Sequence, residues 1–307
     1  MGKKKNAGNR PPKQTGFKLW VHGARLRTLP LAIAPVAIGS GVAAAENKFN
    51  GTLAWLALAV ALFLQIGVNF ANDYSDGIRG TDEKRVGPLR LTASKSVRPQ
   101  SVKFVAFAFF ALAAIAGLLI VLLTAHWWFL LVGALAILAA WFYTGGKNPY
   151  GYAGLGELSV FIFFGLVATY GTAFIQTGAF DINAITGGIA AGSFASAVLM
   201  INNIRDAELD AHAGKRTLAV KVGKKWAKAI YFVLLWLPFV VLFPYPLIYP
   251  ATFFTWATIL MVIPTTLIVA TAKTAKEQIL ALKLTSFAGL TFALLFGWGL
   301  ATINLAI

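Results

Sequence analysis

The sequence predicts an all-α multi-pass membrane protein, with nine transmembrane helices in one bundle and a cavity that opens to the cytoplasm. Three observations predict it. The 307 residues are 58% hydrophobic and only 12% charged, and the mean hydropathy is +0.71. Apolar runs long enough to cross a bilayer, roughly 20 residues each, recur along the whole chain. Finally, Lys and Arg alternate sharply between the loops that join those runs. A soluble protein would need a buried core helix at nearly every position, against all base rates for globular folds.

The elements follow in order. Residues 1–28, starting "MGKKKNAGNRPPKQTGFK", read as a basic, disordered cytoplasmic tail with no cleavable signal. Gly2 invites myristoylation, but Asn6 stands where that signal wants Ser or Thr. Residues 29–307 form the membrane domain, with spans over 29–45, 52–72, 102–124, 126–144, 155–176, 183–203, 227–243, 248–271 and 284–306. The seventh is interrupted by Pro238 and closed by Pro244 and Pro246.

With an odd number of spans the termini lie on opposite sides, and the positive-inside rule sets the orientation. Of 27 Lys and Arg, 26 fall in the tail or at the loops after spans two, four, six and eight; Lys48 is the exception. The N-terminus is therefore expected inside. The net charge of +16 is a matter of topology and anionic lipid and requires no nucleic acid. The chain has no cysteine, so disulfides, thiolate metal sites and a cysteine nucleophile are excluded. His22, His126 and His212 are too scattered for a zinc site.

Seven of the 11 acidic residues crowd into two windows. "NFANDYSDGIRGTDEKRVGPLR" holds Asp73, Asp76, Asp82 and Glu83, and "INNIRDAELDAHAGKRTLAV" holds Asp206, Glu208 and Asp210. Each lies at the inner end of an even-numbered span. Asn72 and Asp76 are four apart, as are Asn202, Asp206 and Asp210, and residues four apart share a helix face. Each window thus projects a column of oxygen ligands, and the matching columns suggest a weak internal repeat. Oxygens without His or Cys suit Mg²⁺, which bridges a few carboxylates to phosphate oxygens. One acid near a helix end usually just balances a neighbouring base, but two columns on one side of a membrane are costly and imply function. Arg79, Lys84, Arg85 and Arg90 near the first window and Lys215 in the second provide cations for a diphosphate. A diphosphate site set against apolar helices suits a head group with a long hydrocarbon tail, a polyprenyl diphosphate.

These windows resemble the paired aspartate motifs of the intramembrane aromatic prenyltransferases, the UbiA superfamily. "LRTLPLAIAPVAIGS" and "YTGGKNPYGYAGLGELSVFIFFGLVATYGT" extend the resemblance, which is strongest to the menaquinone branch, the 1,4-dihydroxy-2-naphthoate polyprenyltransferases. The superfamily pattern N-D-x-x-D-x-x-x-D would place a third Asp at position 80; this chain has Gly80 there and Asp82 beyond it, as the menaquinone branch does.

The resemblance implies transfer of a polyprenyl group from its diphosphate to 1,4-dihydroxy-2-naphthoate, releasing CO₂ and diphosphate, in a bacterial plasma membrane. It implies Mg²⁺ on Asn72, Asp73, Asp76, Asp82, Asn202, Asp206 and Asp210. Diphosphate contacts are expected from Arg27, Arg79, Lys84, Arg85, Arg90 and Lys215. Tyr143 is placed to stabilise an allylic cation with its ring, and Arg25, with Arg27 and Lys147 behind it, to hold the acceptor carboxylate. Attack at the carboxylate-bearing carbon needs no external base, since loss of CO₂ restores aromaticity. Gly145, Gly146, Gly151, Gly154 and Gly156 permit a tight connection over the site, and Glu157 is expected to partner Lys147. The alternative within the superfamily is a sibling prenyltransferase with another acceptor, namely 4-hydroxybenzoate, haem or a sugar phosphate. A cation-coupled transporter would carry its acids at the midplane, and the D-G-x-x-A-R core of a CDP-alcohol phosphotransferase is not matched by "DGIRGTD".

Overall fold

The computed structural model describes residues 16–81 and 89–305, so Asp82, Glu83, Lys84 and Arg85 lie outside the described residues. The described residues are helical almost throughout: α1 (Phe17–Ala24), α2 (Pro30–Ala45), α3 (Gly51–Ile78), α4 (Pro99–Thr124), α5 (Phe129–Phe142), α6 (Gly156–Val160) and α7 (Ala168–Thr177). They continue with α8 (Ile182–His212), α9 (Leu218–Val241), α10 (Tyr245–Ile248), α11 (Ile259–Thr271) and α12 (Ala275–Ala301). A π-helical stretch, Phe161–Val167, joins α6 to α7 in one rod. A 3₁₀ stretch, Pro250–Thr258, leads into α11.

Local chemistry starts these helices. The side chains of Asn50 and Asp181 accept from the amides of Leu53 and Asn183, capping α3 and α8. Thr274 and Glu277 form a reciprocal capping box at α12, and Pro30 and Pro99 open α2 and α4 where no amide is required. Each of the nine expected spans is a helix, but they are not alike. Seven are long and apolar enough to cross a membrane, α1 and α2 make an eighth only as a pair bent by 50°, and α5 has 14 residues.

Two expectations change. Part of the expected tail, Phe17–Ala24, is helix α1, with Leu19 and Gly23 buried against α3 and the loop after it. A Cβ on Gly23 would lie 2.5 Å from the Phe70 ring and 2.8 Å from Leu91. The spans also run past their hydrophobic ends: α3 continues to Ile78 and α8 to His212, which keeps both oxygen columns on helix, as their four-residue spacing requires.

Helix α8 is the axis of the bundle, 78% buried over its apolar window, whereas α3, α4, α9 and α11 are only about a third buried. Side chains such as Leu112, Ile115, Leu118, Leu122 and Leu131 face outward, as helices in lipid require. Small residues let backbones meet where helices cross. A Cβ on Gly41 of α2 would come within 2.3 Å of the Gly297 carbonyl of α12. One on Gly165, in the π-helical stretch, would come within 2.5 Å of Gly188 and Gly192 of α8. Such π stretches are rare and favour functional sites; here Phe163, Phe164 and Val167 line the cavity described next.

Candidate active site

A cavity of about 400 Å³ lies between α2, α3, α5, the rod formed by α6 and α7, and α8. Its deep walls are apolar, including Leu31, Val36, Val60, Leu64, Val132 and Phe163. Its polar end gathers Asn72 and Asp76 from α3, Asn202, Asn203, Arg205 and Asp210 from α8, and Arg25, Arg27, Arg90, Tyr143 and Lys215 from the surrounding segments. Both oxygen columns therefore open onto one chamber, although 130 residues separate them.

Asp76 is held from two sides. Its side chain is buried; Oδ1 accepts from Tyr152 Oη at 2.5 Å and lies 3.0 Å from Lys215 Nζ. Lys215 Nζ sits 4.7 Å above the Tyr152 ring, and the Arg79 guanidinium lies 5.4 Å from the same ring. Burial, and then the Asp76 carboxylate beside it, push the Tyr152 hydroxyl far above the ordinary tyrosine range, so it remains a donor. Tyr152 is a site residue that the sequence reading missed. Its one sequence signal is its place within the glycine-punctuated stretch between Gly151 and Gly154, whose tight connection brings it over the site. The main chain secures it there: Arg216 N donates to the Tyr152 carbonyl at 2.9 Å, and Lys221 Nζ to that of Ala153 at 2.6 Å. The loops after α5 and α8 are thereby stitched together over the cavity.

Asn72 Oδ1 accepts from Thr144 Oγ1 at 2.8 Å. On α8, Arg205 was also missed: its Nε and Nη2 grip both oxygens of Asp206, at 2.8 and 2.6 Å, and Nη2 reaches Asn202 Oδ1 at 2.8 Å. Asp206 is buried and does not line the cavity, unlike Asp210.

Besides Asp206, three expected site residues take other positions. Asp73 is one residue from Asn72, about 100° around the helix, and points away from the cavity. Its oxygens accept from the amides of Leu91 and Thr92, each at 2.8 Å, so it anchors the segment that carries Arg90. Arg79, at the C-cap of α3, donates to the carbonyls of Thr144 and Gly146 and ties α3 to the loop after α5; it is absent from the cavity wall. Lys147 is exposed and also absent from that wall. Its expected partner Glu157 is instead buried against α8, where Oε1 accepts from Asn203 Nδ2 at 2.8 Å. Gly80, which replaces the third aspartate of the superfamily pattern, has φ +72°, a left-handed conformation that glycine adopts without steric cost. It closes α3, its amide donating to Gly77 O at 3.3 Å.

The donor set fits a hard divalent ion. Asn72, Asp76, Asn202 and Asp210 offer oxygens only, from two carboxamides and two carboxylates. Among the described residues no three His, Cys, Asp or Glu come close enough to hold a metal by themselves. Mg²⁺ does not demand that, because it commonly takes one or two carboxylates and completes its shell with water and phosphate oxygens.

The family model for UbiA prenyltransferases matches residues 32–278. The chain belongs to the UbiA prenyltransferase family. UbiA-family relatives include the 1,4-dihydroxy-2-naphthoate octaprenyltransferase of Mycobacterium tuberculosis (strain ATCC 25618 / H37Rv), 52% identical over 215 residues, covering 70% of this chain and 73% of the relative. The enzyme of the same name from Escherichia coli (strain K12) is 38% identical over 222 residues, covering 70% of this chain and 72% of the relative. In fold, the chain is similar to a UbiA homologue from Archaeoglobus fulgidus bound to GPP and Mg²⁺, with a TM-score of 0.62 at 17% identity. That match covers 93% of this chain and 100% of the other. The chain is thus an integral membrane protein with the all-helical UbiA fold.

Proposed function

We propose that this protein transfers a polyprenyl chain from its diphosphate to 1,4-dihydroxy-2-naphthoate, forming demethylmenaquinol with loss of CO₂ and diphosphate. The observation that carries the reading is the shared cavity: two Asn/Asp columns, a cluster of Arg and Lys, and an apolar chamber beneath them. Relatives at 38–52% identity bearing the naphthoate octaprenyltransferase name support the acceptor. The Mg²⁺ bound by the similar A. fulgidus protein supports the metal.

Asn72, Asp76, Asn202 and Asp210 would hold Mg²⁺, which supplies positive charge against the departing diphosphate. The protein's own residues do the rest. Arg90 and Lys215 add cations at the polar end of the cavity, where charge accumulates as the allylic C–O bond breaks. Lys215 is kept in place by Asp76 and by the Tyr152 ring. Arg205 prevents Asp206 from being an uncompensated buried charge and orients Asn202. The apolar walls exclude water from the allylic cation and take the prenyl tail, and Tyr143 stands on the cavity wall where its ring meets that cation. Arg25 receives the acceptor carboxylate, holding the ring so that the carbon bearing it attacks. Nine spans, with α1–α2 as one bent crossing and α5 as a short one, keep the N-terminus and the mouth of the cavity on the cytoplasmic side of a bacterial plasma membrane. The distribution of Lys and Arg supports that orientation.

The test is a radiolabelled prenyl-transfer assay on protein purified in detergent. Geranylgeranyl diphosphate is offered with 1,4-dihydroxy-2-naphthoate or 4-hydroxybenzoate, with and without Mg²⁺, beside Asp76→Ala. Mg²⁺-dependent product from the naphthoate alone, lost in the variant, is the expected result. Product from the benzoate instead would overturn the acceptor, and no product from folded protein would overturn the activity.

A further inference from the structure

Two turns deeper than Asn72, the cavity wall carries a polar network that no step above employs. Gln65 and Asn69 continue the Asn72/Asp76 face of α3 at positions i−7 and i−3 from Asn72, and both are buried, at 6% and 3% exposure. They meet Thr28, from the turn between α1 and α2, and all three line the cavity. Asn69 Nδ2 donates to the Ala24 carbonyl at 2.9 Å and to Thr28 Oγ1 at 3.0 Å. Gln65 Nε2 donates to Thr28 Oγ1 at 3.0 Å and, more weakly, to Asn69 Oδ1 at 3.4 Å. Thr28 Oγ1 donates its own proton to the Arg25 carbonyl at 2.9 Å.

Counting protons favours one orientation for each group in this network, the one that uses every donor. The Ala24 carbonyl can only accept, so the amide nitrogen of Asn69 must face it and Asn69 Oδ1 must face Gln65. The Thr28 proton is committed to Arg25 O, another pure acceptor. Reversing the Gln65 amide would therefore set its oxygen against two acceptors. Each amide has two N–H donors and the hydroxyl one, and all five are used. Gln65 Oε1 has no protein partner among the described residues, and it is not one of the sealed, unsatisfied atoms of the interior. The network thus offers the cavity acceptors only, Gln65 Oε1 foremost.

We propose that Gln65 Oε1 accepts a hydrogen bond from a ring hydroxyl of the aromatic acceptor, making Gln65 a specificity-determining residue for the hydroquinol form. The inference rests on the prenyl-transfer reading above and names the group on that substrate which this wall recognises. A ligand that fits here must bring its own donor. A dihydroxyarene does so, whereas the oxidised ring, with carbonyls in place of hydroxyls, sets acceptor against acceptor. Thr28 couples this subsite to Arg25, whose carbonyl it holds while the Arg25 side chain lines the same cavity. One end of the acceptor is read by charge and the ring by an uncharged oxygen. Sites that hydrogen-bond a substrate hydroxyl discriminate strongly against analogues lacking it, because their buried polar groups are left unpaired.

The experiment compares the wild-type protein with Gln65→Met in transfer from geranylgeranyl diphosphate to 1,4-dihydroxy-2-naphthoate. It also measures competitive inhibition by 1-hydroxy-2-naphthoate and 4-hydroxy-2-naphthoate, each lacking one hydroxyl. In the wild type the analogue that retains the recognised hydroxyl inhibits roughly tenfold more tightly than the other. In Gln65→Met the KM for the dihydroxynaphthoate rises by roughly that factor, the KM for the prenyl diphosphate holds, and the two inhibitors become equivalent. Equal weakening of both inhibitors would indicate a structural role and overturn the proposal, as would a variant identical to wild type. Should Gln65→Met not fold, judged by its melting curve, Gln65→Asn serves: it keeps the carboxamide but draws its oxygen back by one methylene, so the inhibitor preference must weaken, and a folded variant that keeps the preference at wild-type strength overturns the proposal. A wild-type protein that transfers nothing to the naphthoate overturns the function reading itself, whereas normal wild-type transfer without hydroxyl selectivity overturns this inference alone.

Discussion

Removing the charge of Asp76 separates its structural work from its chemical work. Asp76→Asn leaves the Lys215 ammonium buried and without its carboxylate, while the Tyr152 hydroxyl still finds an oxygen. Breaking a buried ion pair from one side costs about 3–5 kcal/mol, because the remaining charge is uncompensated. For a domain of this size that corresponds to a fall in Tm on the order of 10 °C. Lys215→Met alone leaves Asp76 with the Tyr152 hydrogen bond, so its penalty is smaller, about 1–3 kcal/mol. The double variant removes both charges and recovers most of the stability, leaving a coupling energy of about 2 kcal/mol or more across the cycle. Activity does not follow stability. Both Asp76→Asn and the double variant lose a ligand oxygen and its charge and fall by at least about a hundredfold in kcat/KM, a loss of some 3 kcal/mol in transition-state stabilisation. The assays are thermal melts in detergent and radiolabelled transfer at saturating Mg²⁺. An Asp76→Asn protein that melts with the wild type, or a double variant that regains activity along with stability, would refute the reasoning.

Other consequences follow from the same contacts. Asp73→Asn loses one of its two backbone-amide acceptors, and is expected to cost about 1–2 kcal/mol and to raise the KM for the prenyl diphosphate through Arg90. Its Mg²⁺ requirement should match the wild type, as a titration of activity against Mg²⁺ would show. Tyr152→Phe keeps the ring beneath Lys215 but removes a charge-assisted donor to Asp76 worth about 1.5–3 kcal/mol; kcat/KM for the diphosphate should fall at least tenfold while the naphthoate KM holds. Gly41→Ala forces α2 from α12 and should lower stability by about 1–3 kcal/mol, read as a lower Tm with kcat little changed. Chelation by EDTA should abolish transfer, and added Mg²⁺ should restore it.

Hydropathy was sufficient to locate the seven helices long and apolar enough to cross a membrane, because apolar length reports directly on a bilayer-sized element. It stopped short where polar residues extend a helix, as in α3 and α8, since a backbone that leaves the hydrocarbon has no reason to unwind at the boundary. The oxygen columns were equally legible, as the four-residue spacing of Asn72 with Asp76 and the eight-residue spacing of Asn202 with Asp210 each fix a face within one helix. The same geometry already sets Asp73 off that face, and an acidic-residue count alone overlooks it. Other outcomes rest on contacts between distant segments. Tyr152 reaches Asp76 across 76 residues, Thr28 reaches Gln65 across 37, and Asn203 claims Glu157, 46 residues away, before Lys147 can. Spacing along a chain specifies which side chains share a helix face. Which of them meets metal, substrate or merely another protein group depends on what the neighbouring helix brings opposite, and only the assembled bundle decides that.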